Sequence, residues 1–165
     1  MLRKTKLSAI AAASATVSLA AAPASASGPW TQNHISATAV VSGYTGLLIE
    51  TAFSTTNICT GSALGGIVGG TPNGGSDAVF LIRTAAAYGC FAPITLTGLP
   101  WNGAFVGGLA HLEFSMTSAG CPYYGTLTGT ISGHTATFTR QAVNSPNLAC
   151  PGNVTVSVTY NFTQP

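Results

Sequence analysis

The sequence predicts an all-β domain: an antiparallel β-sandwich or flattened barrel of about seven to nine short strands, stapled by two disulfides. Three observations lead to this prediction. Apolar and polar residues alternate with a period of two in several short runs. Turns rich in glycine and proline separate these runs. Four cysteines are spaced about 30 residues apart, and no sustained helical period follows residue 26.

The clearest run is a hairpin formed by residues 125–132 and 135–140 around the pair Gly133-His134. A two-residue turn with glycine first is typical of a type II′ hairpin, because that position needs a positive φ. The turn fixes a register that puts threonines on one face and apolar residues on the other. The predicted cross-strand pairs are Ser132 with Thr135, Thr130 with Thr137, Thr128 with Thr139, Ile131 with Ala136, and Gly129 with Phe138.

A long strand is predicted between Val154 and Phe162, where valines and aromatic residues alternate with threonine, serine and asparagine. Together with the hairpin, this strand predicts a meander with an apolar face and a hydroxyl-rich face. We call the second the threonine face. Its predicted members are Thr126, Thr128, Thr130, Thr135, Thr137, Thr139, Thr155, Ser157 and Thr159.

Further strands are predicted upstream of the hairpin. They span Ile35 to Ser42, Leu47 to Ser54, Val79 to Ala87, Pro93 to Leu99, and His111 to Met116 with a lead-in from Phe105. The run from Val79 to Ala87 is mostly apolar, which predicts a strand covered on both faces. Seven glycines between Cys59 and Asp77 predict a loop that ends in a turn at residues 71–76.

The first 26 residues have the pattern of a secretory signal peptide. Basic residues at positions 3–6 precede an alanine-rich apolar run, and residues 24–26 form a small-residue cleavage site. A membrane anchor is the alternative, but the run falls short of the roughly 20 strongly apolar residues that a spanning helix needs. We therefore expect one secreted β domain over residues 27–165, extracellular or associated with the cell surface, with no integral membrane segment.

Loss of the basic residues Arg3, Lys4 and Lys6 changes the formal net charge from +2 to −1. No basic patch remains, so no nucleic-acid partner is expected, because phosphate neutralisation needs clustered Lys and Arg. A nearly neutral surface favours self-association or adsorption to a hydrophobic or cell-wall surface. The charged residues that remain are Glu50, Asp77, Arg83, Glu113 and Arg140.

The four cysteines predict two disulfides in an exported chain, with three possible connectivities. Pairing of Cys59 with Cys90 and of Cys121 with Cys150 is favoured, because each pair brackets a turn near its middle. Similar phrases precede Cys59 and Cys121, which suggests an internal duplication of a cysteine–hairpin unit. Chance similarity between threonine-rich strands is the alternative.

Residues that carry chemistry are scarce after position 26: one Asp, two Glu and three His. A Ser-His-Asp site would have to use Asp77, and the G-x-S-x-G motif is absent. Glu50 and Glu113 form a conceivable carboxylate pair, although solvent-facing strand residues are the more ordinary interpretation. His111 and Glu113 share a strand face but supply only two of the three or four ligands that a metal needs. We expect no enzymatic activity, no catalytic residue, no cofactor and no metal.

The threonine face is the one unusual surface in the sequence. Its simplest interpretation is the solvent side of an antiparallel sheet. Its functional interpretation is a flat array that adsorbs to a polysaccharide, a lipid or oil interface, another copy of the chain, or ice. Trp30, Trp101, Tyr123 and Tyr124 are candidates for added aromatic contacts. The surface-contact candidates that we single out are Thr126, Thr128, Thr130, Thr135, Thr137, Thr139 and Trp101.

The segment from Cys90 to Trp101, with its phrase Thr-Gly-Leu-Pro-Trp at residues 97–101, resembles the small secreted bacterial proteins known as protein activators of alkane oxidation. The signal peptide, regular cysteines and low-charge alternating strands add to the resemblance. It implies an extracellular or cell-surface accessory protein without enzymatic activity, linked to growth on hydrophobic substrates or to biofilm. It carries over no catalytic residue.

The leading expectation is therefore a non-enzymatic secreted protein that acts at a hydrophobic interface, a cell surface or a biofilm matrix. The alternative is a secreted binding module or inhibitor that recognises a protein or glycan through its loops. The loops expected to do so are Gly61 to Ser76 and Val143 to Asn153.

Overall fold

The computed structural model describes residues 30, 34–42, 45–51, 56–70, 77–152 and 154–164. The predicted signal peptide lies outside these residues. None of the described segments is a helix with the length and apolar character that a membrane crossing requires. The described chain forms ten strands: β1 (His34–Ala39), β2 (Leu47–Glu50), β3 (Thr56–Gly70), β4 (Ala78–Cys90), β5 (Ile94–Leu96), β6 (Trp101–Val106), β7 (Leu109–Ser118), β8 (Cys121–Ser132), β9 (Thr135–Val143) and β10 (Val154–Thr163).

The strands form a closed antiparallel barrel, so the sandwich alternative was wrong. The order is β1-β10-β2-β3-β4-β6-β7-β8-β9, and pairing of β10 with β9 closes the sheet on itself. Ten strands occupy eight positions, because β1 and β2 both lie between β10 and β3, and β5 and β6 both pair with β7. Pairing of β10 with β1 and β2 joins strands far apart in sequence, and the closed barrel leaves no long unpaired edge among the described strands.

The predicted hairpin forms around Gly133, whose φ of 60° is the positive value that the turn requires. Three predicted pairs are confirmed, from Ser132 opposite Thr135 to Thr130 opposite Thr137. The predicted pairs beyond them do not form. Arg140 takes a φ of 47° and β9 bulges where it passes β10, so β9 leaves the expected register with β8.

The barrel interior is a solid apolar core. All five apolar residues of the predicted long strand are buried along β10, as the alternation required. The largest buried side chains are aromatic, and their rings pack as one group of five and one separate pair, Trp101 with Phe114. These aromatic residues are Trp30, Phe80, Trp101, Phe105, Phe114, Tyr160 and Phe162.

One buried polar contact crosses this core. The Ser62 and Tyr160 hydroxyls are hydrogen-bonded at 2.9 Å, and the Ser62 hydroxyl donates to the Ala86 carbonyl at 2.9 Å. Burial raises the pKa of Tyr160 to about 12, although the bond to Ser62 opposes the rise. The phenol therefore stays neutral in the folded barrel at ordinary pH.

Two local predictions were wrong. The glycine-rich segment from Gly61 to Gly70 is not a loop but most of β3, while the predicted turn at residues 71–76 lies outside the described residues. Its glycines serve close packing, since a side chain at Gly61 would overlap the Tyr88 ring. The run from Val79 to Ala87 is covered on one face only, and Val79 is 40% exposed on the outside.

Both disulfides lie at the same end of the barrel. Ile94, four residues after Cys90, pairs with Ser118, and Ser118 pairs with Cys121. We call this the disulfide end; it comprises residues 90–94, 118–121 and 143–152. The turns at Gly107-Gly108 and Gly133-His134 lie at the opposite end, where Trp30 packs against His134 and Phe105.

The strand order repeats once along the chain. Each set of four consecutive barrel positions, β1/β2 to β5/β6 and β7 to β10, carries one disulfide-linked hairpin at its second and third positions. Those hairpins are β3–β4 and β8–β9.

Candidate functional site

The disulfide end is built from the starts and ends of the two hairpins. Cys59 in β3 bonds to Cys90, its direct partner at the end of β4. Cys121 at the start of β8 bonds to Cys150 in the loop that follows β9. Both predicted pairings are confirmed. Two disulfides fit an oxidising environment.

An exposed phenylalanine follows the first disulfide directly. Phe91 is 91% exposed, and its backbone N–H donates to the Ile58 carbonyl at 3.0 Å. The side chain of Asn57 holds the next residue by two bonds: its Nδ2 donates to the Ala92 carbonyl at 3.0 Å, and its Oδ1 accepts from the Ala92 N–H at 3.1 Å. The loop backbone is thus fixed while the Phe91 ring stands in solvent.

An exposed leucine precedes the second disulfide. Leu148 is fully exposed, at 101% of its reference area. Its loop is held by local hydrogen bonds: the Ala149 N–H donates to Asn147 Oδ1 at 3.0 Å, and the Cys150 N–H donates to the Asn147 carbonyl at 3.0 Å. The apolar tip is again presented by a loop that the disulfide anchors.

Two exposed tyrosines lie on the strands that carry Cys90 and Cys121. Tyr88 precedes Cys90 by two residues and is 51% exposed, while Tyr124 follows Cys121 by three residues and is 55% exposed. Tyrosines are common where an apolar contact meets water, because the ring is apolar and the hydroxyl is polar. Phe91, Leu148, Tyr88 and Tyr124 form what we call the apolar rim.

The disulfide end carries no charged side chain in its described loops. Residues 84–110, 114–133 and 141–165 contain no Asp, Glu, Lys or Arg. The ion pair between Glu50 and Arg140, with Nε and Oε2 3.7 Å apart, borders this end on the barrel wall, because Glu50 pairs with Thr56 and with Thr155. An uncharged apolar rim can leave water without the large desolvation cost that an ion would add.

The threonine face lies on the outside of the barrel, as predicted from the alternation. Of its hairpin residues, Thr135 is half-buried and the others are exposed. Its hydroxyls contact neighbouring strands in places: Thr159 donates to Thr137 at 3.3 Å. Whether the face binds anything stays a prediction.

Three aromatic contact candidates are not on the surface. Trp101 is 1% exposed, and its Nε1–H donates to the Thr97 carbonyl at 2.7 Å while its ring packs on Phe114. Trp101 is therefore a core residue, and its prediction as a surface contact was wrong. Trp30 and Tyr123 are buried as well, and burial raises the pKa of Tyr123. Tyr124 is the exposed member of the four.

A second feature is a groove of ≈ 610 Å³ on the outer wall, across β3, β4, β6, β7 and β8. His111 and Glu113 line it, which places this predicted pair in one depression. His111 Nδ1 lies 3.3 Å from the Thr128 hydroxyl, and Glu113 Oε2 accepts from both the N–H and the Nδ2 of Asn102 at 2.7 and 2.9 Å. Within the described residues, no third His, Cys, Asp or Glu joins them to make a metal site.

The other acidic residues have separate contacts. Asp77 Oδ1 accepts from the Gly107 N–H at 3.1 Å. Glu50 lies on β2 and Glu113 on β7, four positions apart in the eight-position barrel. The structure does not bring Glu50 and Glu113 together as a carboxylate pair.

Sequence reasoning missed Phe91, Leu148 and the apolar side of the groove. A weak signal existed for the first two, since each is a large apolar residue within two positions of both a cysteine and a proline. The groove has no linear signal, because it depends on which strands become neighbours.

No family model matches the chain, and it matches no curated protein and no solved structure. The resemblance to the protein activators of alkane oxidation accordingly stays a prediction.

Proposed function

We propose that this is a non-enzymatic secreted or cell-surface accessory protein that contacts a hydrophobic interface, such as an oil surface, a cell surface or a biofilm matrix. The contact is made by the apolar rim of the disulfide end. This proposal keeps the function expected from the sequence and moves the contact from the threonine face to the rim.

The observation that carries the proposal is the full exposure of Phe91 and Leu148 on two disulfide-anchored, uncharged loops at one end of the barrel. An isolated exposed leucine is ordinary on a soluble protein. Two fully exposed apolar tips at the same end, together with two half-exposed tyrosines on strands that reach this end, are typical of an interaction site.

Simple energetics supports an apolar partner. Moving a phenylalanine and a leucine side chain out of water is worth roughly 1.5–3 kcal/mol each. The loops are already fixed by the disulfides and by Asn57, so little conformational entropy is lost on contact. Because no ion has to be desolvated, most of this free energy remains available for adsorption.

Pendant-drop tensiometry at a water–hexadecane interface tests the proposal. We expect the oxidised protein to lower the interfacial tension and the double variant Phe91→Asp/Leu148→Asp to require at least about 100-fold more protein for the same effect. The matched control is Val106→Asp/Leu109→Asp, which puts two carboxylates on half-exposed apolar residues at the opposite end. That control should adsorb like the parent protein.

A second control separates the rim from the threonine face. Thr130→Asp/Thr139→Asp introduces the same charge on exposed residues of that face. Loss of adsorption only in this variant would show that the threonine face makes the contact and that the rim proposal is wrong. No adsorption by the parent protein, together with saturable binding to a soluble protein or glycan that needs residues 144–152, would favour the binding-module alternative.

We also propose that the repeated strand order records an internal duplication. The two disulfide-linked hairpins occupy equivalent barrel positions, and the sequences before Cys59 and Cys121 are similar, which supports a common origin. In that case each half contributed one apolar tip to the rim.

A further inference from the structure

We propose that the groove on the outer wall binds a small amphiphile with a primary ammonium head and an aliphatic or aromatic body. The groove and the apolar rim are different surfaces, so this inference does not depend on the proposed function. It rests on the arrangement of outward-facing side chains across β3, β4, β6, β7 and β8.

The depression exists because its middle strand carries small residues. On the outside, Val79 of β4 lies opposite Ala104 of β6, and Ala104 lies opposite His111 of β7. Gly103 lines the groove with its backbone only, because its missing side chain is on the inner face, opposite the buried Phe80 and Leu112. The larger side chains of β4 and β7 therefore stand above β6 as two walls.

One wall is apolar. Ile67 of β3 pairs with Leu81 of β4, and Leu81 pairs with Asn102 of β6. Val79 completes this wall and is 40% exposed, which is a substantial apolar area left in water. A hydrocarbon chain or ring laid along this wall would cover it.

The other wall is polar, and hydrogen bonds hold its carboxylate in one orientation. Both hydrogen bonds from Asn102 end on Glu113 Oε2, so the carboxylate is held in place and Oε1 has no partner among the described residues. His111 and the Thr128 hydroxyl lie beside it and are joined to each other. A fixed carboxylate with a spare oxygen is a ready acceptor for an N–H donor.

The charge of the lining selects the head group. Glu113 is the one acidic side chain among the lining residues, and no Lys or Arg lines the groove. A cationic head is attracted to it, a neutral alcohol head gains only a hydrogen bond, and an anionic head is repelled. The volume of ≈ 610 Å³ lies within the range of small-molecule sites.

Titration of the oxidised protein with n-octylammonium, 1-octanol and octanoate, followed by amide NMR shifts, tests the proposal. We expect the shifts to centre on Ala104 and His111, and octylammonium to bind about fivefold more tightly than octanol, with octanoate weakest. The preference for the amine should shrink from low to high salt.

Three variants make the test specific. Glu113→Gln should abolish the preference for the amine, and Ala104→Leu should weaken all three probes by filling the groove. Glu50→Gln is the matched control, because it removes a carboxylate from another part of the barrel wall. This variant should bind the three probes with the affinities of the parent protein. Phe91→Asp/Leu148→Asp should also leave octylammonium binding intact.

Equal affinity for the three probes, absence of shifts, or an unchanged preference in Glu113→Gln would overturn the proposal. So would a concentration-dependent dimer, measured by light scattering, that Ala104→Arg dissociates, since a second copy would then be the occupant. Retained folding of each variant is verified by the thermal midpoint.

Discussion

In the β3–β4 hairpin, backbone pairing runs from Cys59 opposite Cys90 down to Gly70 opposite Val79. In the β8–β9 hairpin, the strands pair only beside the turn and at one bridge between Tyr124 and Asn144. Both hairpins are closed by a disulfide over similar separations, 31 and 29 residues. The same covalent link therefore supports two different structures.

Side chains replace the missing ladder in the second hairpin. The Thr128 N–H donates to Gln141 Oε1 at 2.9 Å, and the Arg140 N–H donates to the Ser157 hydroxyl at 2.8 Å. The bulge at Arg140 thus loses backbone pairs without leaving these donors unsatisfied. We infer that the first hairpin is fixed mainly by its own ladder, whereas the second depends on its disulfide and its side chains.

The largest expected effect is removal of either disulfide. The chain-entropy model assigns each about 3.5 kcal/mol of the free energy of unfolding, because the closed loops are nearly equal in length. Cys59→Ser/Cys90→Ser and Cys121→Ser/Cys150→Ser should therefore lower stability to denaturant by similar amounts. Only the second double variant should also speed amide hydrogen exchange at residues 143–152 in the folded state. Equal exchange rates at residues 143–152 in both double variants would contradict the inference that only the second hairpin depends on its disulfide.

The bond between Ser62 and Tyr160 links β3 of the first hairpin to β10, the neighbour of the second. The folded-state pKa of Tyr160, about 12, lies above its ordinary value of 10, so the folded barrel holds the proton more tightly. The stability that comes from the protonated Tyr160 is fully present below about pH 10 and is lost as the pH rises towards 12. The free energy of unfolding then decreases by at most about 3 kcal/mol.

Tyr160→Phe should remove most of this alkaline slope, at a cost of about 1 kcal/mol near neutral pH for the lost hydrogen bond. Denaturant midpoints between pH 8 and 11 measure both the alkaline slope and the loss of stability at the lower pH. Tyr123, whose pKa burial also raises, should account for a smaller remaining slope in the same direction. An unchanged slope in Tyr160→Phe would show that the phenol is not the group responsible.

The smallest expected effect is in the β8–β9 hairpin, where the backbone ladder is interrupted. Gln141→Ala should cost about 1 kcal/mol, because the Thr128 N–H loses its acceptor, and should increase exchange of that amide. Thr84→Ala is the counterpart in the first hairpin, where the hydroxyl makes only a long 3.4 Å bond to the Gly65 carbonyl, beside a bulge after which backbone pairing continues. That variant should change stability by less than about 0.5 kcal/mol. If Thr84→Ala cost as much as Gln141→Ala, the two hairpins would not differ as described.

The parts of the fold that sequence could predict are those set by neighbours in the chain. Alternation placed the apolar residues of β10 inside, and the glycine of Gly133-His134 fixed the turn and the first cross-strand pairs. The cysteine pairs followed from the same local geometry, because a hairpin returns the chain to its start.

The parts that sequence could not predict depend on distant strands. Whether β10 also pairs with β1 and β2, more than 100 residues earlier in the chain, and so closes the barrel is a long-range choice that no short pattern encodes. Glycines in β3 looked like a loop, because their packing role needs the facing side chain of Tyr88 to be known. Trp101 and Phe91 show the same limit: the buried ring and the exposed one lie in one low-charge segment, and only the tertiary fold separates them.

Amide hydrogen exchange with and without dispersed hexadecane droplets tests the central claim most directly, because it reports which backbone segments approach the apolar phase. We predict protection at residues 91–92 and 147–149 and unchanged exchange at residues 126–139. Protection of residues 126–139 instead, or no protection anywhere, would contradict the assignment of the disulfide end as the contact surface.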